Sequence, residues 1–321
     1  MEEDTLTDFG TAKVINIEAK AQSTPNNVQE TANNSPQNNF DYIQWTNLGD
    51  GIYTYTGQTQ KTLDNAIYTI FANDKGMYLR KETLNTDDLV EFTDSITDDI
   101  LKEIEYFWNS KKIFIEYGFL HRRGYLFYGK AGCGKSALIY LICNRIIKRN
   151  GIVIICNNNP HHLSIMIKAI RKIEPDRHIV TIFEDIDAII NAYGEECVLS
   201  FLDGESQAND ILNIATTNYP ERLDKRIVAR PRRFDRRIKI PEPIESIRRE
   251  YFKLKLKIGD DEDIEKWVKA SEGFSFAGMT DLVIQVKCLN VPFDEAVKKL
   301  NNLIKGTVPS SDNLDGKTIG Y

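Results

Sequence analysis

The segment Gly129 to Ser136 reads GKAGCGKS, a complete G-x-x-x-x-G-K-[ST] pattern, between an apolar run at Tyr125 to Tyr128 and an apolar helical pattern that begins at Ala137. A strand, a glycine-rich turn and a helix in that order leave few folds open. The turn has to aim its backbone N–H groups inward, at an anion held on the positive end of the helix. Gly129, Lys130, Ala131, Gly132, Cys133 and Gly134 make the cradle, Lys135 meets the β- and γ-phosphates, and Ser136 offers its hydroxyl to Mg²⁺. A site for ATP or GTP is the expectation.

Around this loop the chain alternates strands and helices. The pattern predicts strands at 125–128, 151–156, 178–185, 211–218 and 236–243, with helices at 135–149, 163–173 and 196–203. Continuous apolar strands of this kind belong to a parallel sheet covered on both faces, so the predicted class is α/β, a five-strand parallel sandwich. The strand HIVTIFED ends in Glu184 and Asp185, which places two carboxylates at the carboxyl edge of the sheet beside the phosphate loop. One can hold the metal's water shell while the other orients an attacking water. The plainer reading is a cap for a helix starting at Ile186, supplied by Asp185 or Asp187.

The flanks differ in character. Residues 1–39 contain TPNNVQETANNSPQNN, too polar to offset the entropy of ordering, and are expected to be a disordered tail. Residues 40–95 read as a small strand-rich N-terminal region, with GIYTYTG and AIYTIFAND alternating aromatic or β-branched residues with polar ones. An acidic helical pattern follows from Thr93, with Ile96, Ile100, Ile104 and Phe107 on its apolar face. The nucleotide-binding domain is expected over 96–245, a small all-helical subdomain over 246–305 and a loose tail over 306–321. That subdomain carries Met279, Leu282, Val283, Val286 and Leu289 in one stripe and Phe293, Val297, Leu300 and Ile304 in the next.

Composition narrows the function. A net charge of -6 over 321 residues argues against a chain built mainly for nucleic acid or an anionic membrane. Five cysteines without a C-x-x-C pair read as reduced thiols, which points to the cytoplasm, and the N-terminus shows no signal pattern. No apolar run approaches the ~18 residues of a membrane span. His161 and His162 are adjacent and read as exposed loop histidines, so no metal beyond Mg²⁺ is expected.

The stretch ILNIATTNYPERLDKRIVARPRRFDRRIKIPEP resembles the second region of homology of the AAA family of ATPases, with its strand ending A-T-T-N and its later R-P-x-R-F-D-R. That resemblance implies a sensor role for Asn218, near the γ-phosphate. It implies that Arg230 and Arg233 are arginine fingers for the neighbouring subunit's nucleotide; ordinary surface pairing with Asp235 or Glu221 is the alternative. SEGFSFAGMTDL resembles the family's G-F-S-G-A-D-L signature at a lid helix, which makes Ala277 the small residue at the nucleotide, while Phe276 stands where the family usually has Gly. The resemblance covers about 96–305. Within the family, IEYGFLHRRGYLFYGKAGCGKSALI and IFEDIDAII, with Glu before Asp, resemble the branch of the mitochondrial Rieske-protein translocase and its bacterial and phage-borne relatives.

The resemblance implies Mg-dependent ATP hydrolysis in a homo-oligomeric ring, a hexamer, coupled to remodelling of a protein partner, in the cytoplasm or in a host's cytoplasm if phage-encoded. The alternative is a nucleotide-switched, slowly hydrolysing module acting on DNA. Many unfoldases of the family carry an aromatic-apolar-Gly grip after the second strand, and NNNPHHLSIM has none. Charge is also uneven. Lys225 to Lys257 holds 13 basic against 4 acidic residues, whereas Glu82 to Glu105 holds 9 acidic against one Lys. The two patches dock neighbouring subunits, are unrelated solvated faces, or in the basic case meet nucleic acid.

Overall fold

The computed structural model describes residues 13–14, 44–49, 52–56, 59–73, 76–83, 90–91, 95–203, 209–228, 232–256 and 263–306. Six strands come first, β1 (Lys13–Val14), β2 (Gln44–Gly49), β3 (Ile52–Thr56), β4 (Ile67–Asn73), β5 (Gly76–Glu82) and β6 (Val90–Glu91), followed by helices α1 (Ser95–Asn109) and α2 (Lys111–Glu116). The alternating segment is β7 (Arg122–Tyr128), α3 (Lys135–Lys148), β8 (Ile152–Ile155), α4 (Pro160–Ile173), β9 (Ile179–Phe183), α5 (Ile186–Tyr193), α6 (Glu195–Asp203), β10 (Ile211–Thr217), α7 (Lys225–Val228) and β11 (Arg236–Lys239). Four helices follow, α8 (Glu245–Lys255), α9 (Ile264–Ala270), α10 (Phe276–Val283) and α11 (Phe293–Gly306), with a π-helical turn at Ile284–Cys288 between the last two.

Strands β8, β9, β10, β7 and β11 pair in that order, all parallel, as their apolar runs require. Successive residues serve opposite faces. Leu126 joins α4, α5 and α6 in one core, while Tyr125 and Phe127 join α1 and α3 in the other. Helices α8 to α11 enclose a third core around Phe252, Trp267, Phe274 and Met279. Each of these fully buried side chains contributes roughly 1.5–3 kcal/mol through removal from water.

The sheet has seven strands where the sequence pattern predicted five. Beyond β8, β4 pairs parallel through Ile67 with Val153 and Thr69 with Ile155, and β5 closes the edge antiparallel to β4. The reason is burial: Ala66 to Ile70 are all buried, with Ile67 in one core and Tyr68 and Ile70 in the other, so AIYTI is a two-sided interior strand. The strand-rich segment thus extends the nucleotide sheet. The two-residue pair β1–β6 and the hairpin β2–β3 form separate small sheets. Except for β1, the expected tail 1–39 lies outside the described residues, as does 307–321. Helix α4 begins three residues earlier than its apolar pattern, because Pro160 suits the first turn and the Asn159 side chain accepts from the His161 N–H at 2.9 Å. Among the described residues no helix is long and apolar enough to cross a membrane.

Candidate functional site

The phosphate loop leaves β7 and enters α3 with no room for side chains at its bends. A Cβ on Gly129 would lie 2.3 Å from the Ile240 carbonyl oxygen, and one on Gly132, whose φ is +75°, would lie 2.6 Å from Ala277 Cβ. The backbone N–H of Ala277 also faces the Gly132 carbonyl at 3.4 Å. The first turn of α10 therefore seats against the loop, with Ala277 at the contact. Lys130 pairs with Glu242 at 2.6 Å, beyond β11, and Cys133 is a buried thiol pushed up to about 11, chiefly by burial.

Lys135 is 7% exposed, and its ammonium donates to the carbonyls of Gly129 (2.8 Å) and Lys130 (2.9 Å) and to Asn218 Oδ1 (2.6 Å). Three donors thus have three acceptors, even though burial pulls this ammonium's pKa down. Asn218, just past β10, passes the connection on by donating from Nδ2 to Asp185 Oδ1 at 3.3 Å. Three strand ends, those of β7, β9 and β10, meet through Lys135, Asn218 and Asp185. Incoming phosphate oxygens would compete for the same lysine and amide donors.

At the end of β9, Asp185 adopts a left-handed conformation (φ 47°), and its backbone N–H donates to Thr216 Oγ1 at 3.0 Å. It occupies the cap position of α5 yet makes no side-chain cap hydrogen bond, and it lines the cleft. The turn is held instead by buried Asp187, which accepts from Thr217 Oγ1 at 2.6 Å. Glu184 is half-buried, and burial, then the neighbouring Asp185 charge, raises its carboxyl above the usual range. Ser136, Glu184, Asp185, Lys135 and Asn218 all line one cleft of about 720 Å³. Hydroxyl and carboxylate oxygens are the hard donors that Mg²⁺ takes, and the lysine and loop amides suit a triphosphate, so the residues fit both groups.

Arg230 lies outside the described residues. Arg233 is 3% exposed, does not line the cleft, and donates from Nε to both Asp203 carboxylate oxygens (2.9 and 3.0 Å) as well as from Nη1 to the Arg226 carbonyl. Its partner is Asp203, at the end of α6, and not Asp235 or Glu221. Asp235 instead accepts the Gly124 and Arg232 N–H groups. His161 and His162, expected in an exposed loop, lie instead in the first turn of α4 after Pro160, with His162 only partly exposed; among the described residues no group of three His, Cys, Asp or Glu could hold a metal.

The other end of the cleft is built by Ile96 and Thr97 of α1, Ile247 and Tyr251 of α8, and Phe276 and Thr280 of α10; of these, sequence reasoning singled out Phe276 at the nucleotide and missed the contribution of α1 and α8. The i, i+4 spacing of Ile247 and Tyr251 was the available signal, but nothing local shows which face of α8 turns toward the loop.

Residues 125–242 match the family model described as "ATPase family associated with various cellular activities (AAA)". A cell division cycle protein 48 homolog of Archaeoglobus fulgidus is 31% identical over 176 residues, covering 48% of this chain and 24% of the relative. ATPase family gene 2 protein homolog A of Homo sapiens is 26% identical over 187 residues, 51% of this chain and 20% of the relative. A putative cell division cycle ATPase of Plasmodium falciparum is 28% identical over 233 residues, 66% of this chain and 18% of the relative. The chain spans a quarter or less of the length of these curated relatives.

Proposed function

We propose that this chain is an AAA-type ATPase that hydrolyses Mg-ATP as a ring of identical subunits and couples turnover to remodelling of a protein partner, a reading supported by the family match over residues 125–242. The observation that carries the reading is the hydrogen-bonded run Lys135, Asn218, Asp185 inside the cleft. In this reading the loop and Lys135 bind the triphosphate. Ser136 and Glu184 hold Mg²⁺, which when bound neutralises charge on the phosphates. Asp185 orients the attacking water, and Asn218 holds it near the γ-phosphate. Residues 246–305 act as a lid through the contact of Ala277 with Gly132. The carboxylate order Glu184-Asp185 favours the Rieske-translocase branch, without its membrane role.

Arg230 and Arg233 serve as trans fingers, the hexameric ring bringing them to the next subunit's cleft. For Arg233 this requires release from Asp203. The expected loss for Arg233→Ala is about 10³- to 10⁵-fold in turnover, seen only in the assembled state. A variant that keeps wild-type turnover removes the finger assignment. The test of the whole reading is ATPase rate against protein concentration, with and without DNA, beside Lys135→Ala as the blank. A specific rate that climbs with concentration and ignores DNA supports the ring. A negligible rate that DNA awakens supports the second reading, a nucleotide-switched module on DNA, which the absence of an aromatic-Gly pair at Asn157 to His162 favours. A cytoplasmic location belongs to the same proposal.

A further inference from the structure

The chemistry of the cleft is divided along its length. Lys135, Glu184, Asp185 and Asn218 gather at one end, and they fix where the terminal phosphates of a nucleotide lie. The base must then lie toward the other end, where Ile96, Ile244, Ile247, Tyr251 and Phe276 supply the walls. Phe276 differs from the rest in position. It is the first residue of α10, half-buried, and its ring edge comes within 3.5–3.6 Å of where a Cβ on Gly134 would stand. Gly134 caps α3 in a left-handed conformation (φ 99°), so the ring lies against the bare backbone at the mouth of the phosphate cradle. Behind it stands Tyr251, with ring centroids 6.0 Å apart. Thr280 ties the two together, because its hydroxyl lies 2.7 Å from the Tyr251 hydroxyl and 2.8 Å from the Phe276 carbonyl.

Resting on the nucleotide reading of this cleft, we infer that Phe276, braced by Tyr251, is the stacking surface for the base of the bound nucleoside triphosphate. A ring fixed on a lid helix and touching the phosphate loop can meet a base only when the lid is seated. Base recognition and lid position are then one event. Aromatic stacking of a base is sequence-tolerant, since every base offers a π-face, and it is worth about 1–3 kcal/mol per base.

The experiment compares wild type, Phe276→Ala, Phe276→Leu and Phe276→Trp for binding of three probes. These are ATP, the fluorescent 2-aminopurine riboside triphosphate, and inorganic tripolyphosphate, which has no base. Wild type and Phe276→Trp are expected to quench the 2-aminopurine emission. Phe276→Ala and Phe276→Leu should bind ATP about 5- to 150-fold more weakly, lose most of the quenching and hold tripolyphosphate as wild type does. The leucine variant keeps an apolar side chain in the lid core and serves if the alanine variant fails to fold. Undiminished ATP binding and quenching in Phe276→Leu would overturn the inference. Equal weakening of ATP and tripolyphosphate would overturn it too, because the ring would then be shaping the phosphate loop. A wild-type protein that binds none of the probes overturns the nucleotide reading itself, and this inference with it.

Discussion

Two aspartates of the main sheet sit in left-handed backbone, Asp185 at the carboxyl end of β9 (φ 47°) and Asp210 just before β10 at the amino end (φ 63°), and little else about their surroundings agrees. Asp210 is 1% exposed and encircled: Lys111 Nζ at 2.9 Å, His121 Nδ1 at 2.8 Å and His178 Nδ1 at 2.9 Å. His121 in turn stacks on Phe107 and places Nε2 at 2.7 Å from the Phe107 carbonyl, while Arg171 Nη2 donates to the Asp210 carbonyl at 2.9 Å. Burial alone would raise this carboxyl, but the hydrogen bonds of His121 and Lys111 and the close approach of His178 outweigh it and hold it well below the usual range. At the carboxyl edge the balance is opposite. Glu184 is raised by burial and by Asp185, and Lys135 is lowered by burial. One end of the sheet has its charges matched within the chain. The other holds charges that a metal and a phosphate would match, the usual divergence between a structural and a functional site.

The sharpest way to break this contrast is Asp210→Ala. Removing one member of a buried charge cluster strands its partners, so about 3–5 kcal/mol of unfolding free energy should be lost, measured by urea denaturation at neutral pH. A loss below ~1 kcal/mol would show that the amino edge is no more matched than the other. The sign with pH follows from the depressed carboxyl. Its contribution is present above the ordinary carboxylate pKa and disappears as pH falls through the lower folded value, so wild type should weaken in acid and Asp210→Ala should show a flatter acid limb.

Lys135→Ala probes the opposite end. Turnover should fall by about 10²- to 10³-fold, the cost of removing one donor aimed at developing charge. Stability should change far less than in Asp210→Ala, because the acceptors left behind, the Gly129 and Lys130 carbonyls and Asn218, lie in a cleft open to water. Equal destabilisation by the two substitutions would erase the distinction between the edges.

Glu184→Gln should stabilise the nucleotide-free protein, by on the order of 0.5–1 kcal/mol at neutral pH. A raised folded pKa means that the stability Glu184 contributes is present below its ordinary pKa and lost as pH rises through the folded one, so at neutrality the ionised group is a liability. Mg-ATP should reverse the order, raising the melting temperature of wild type more than that of Glu184→Gln. A variant less stable than wild type without nucleotide would mean that Glu184 already has its partners.

How legible each edge was in the sequence follows from the same physics. The carboxyl edge is written locally: the loop, Glu184-Asp185 and Asn218 each close a continuous apolar strand, and once the strands are known to be parallel their ends must converge. The amino edge is written across distance. Lys111, His121, His178 and Asp210 come from four segments, and the signal available was faint: three of them immediately precede strands. Strands β4 and β5 were misplaced for a related reason, since AIYTIF looks like a half-exposed ladder until β8 is seen to bury it. The partner of Arg233 was not legible either, because Asp203 lies 30 positions away at the end of a helix.

The smallest effect concerns the opposed charge patches. Within one chain, Arg236 of the basic segment already reaches Glu103 of the acidic helix at 3.0 Å, and Glu105 takes Arg149 at 2.6 Å. Part of the charge opposition, for which docking of neighbouring subunits was one of three readings, is therefore met in cis. The Arg236 side chain is 49% exposed, so Arg236→Ala should cost only about 0.2–1 kcal/mol, less at high salt. It should leave the salt dependence of assembly unchanged. Arg237 and Lys239 are exposed on the same strand and take part in no ion pair among the described residues, and converting both to Glu should weaken assembly most at low salt, read by sedimentation. If Arg236→Ala alone abolishes assembly, the Glu103 pair is a resting state that neighbours displace, and the patch belongs with the unmatched charges of the cleft.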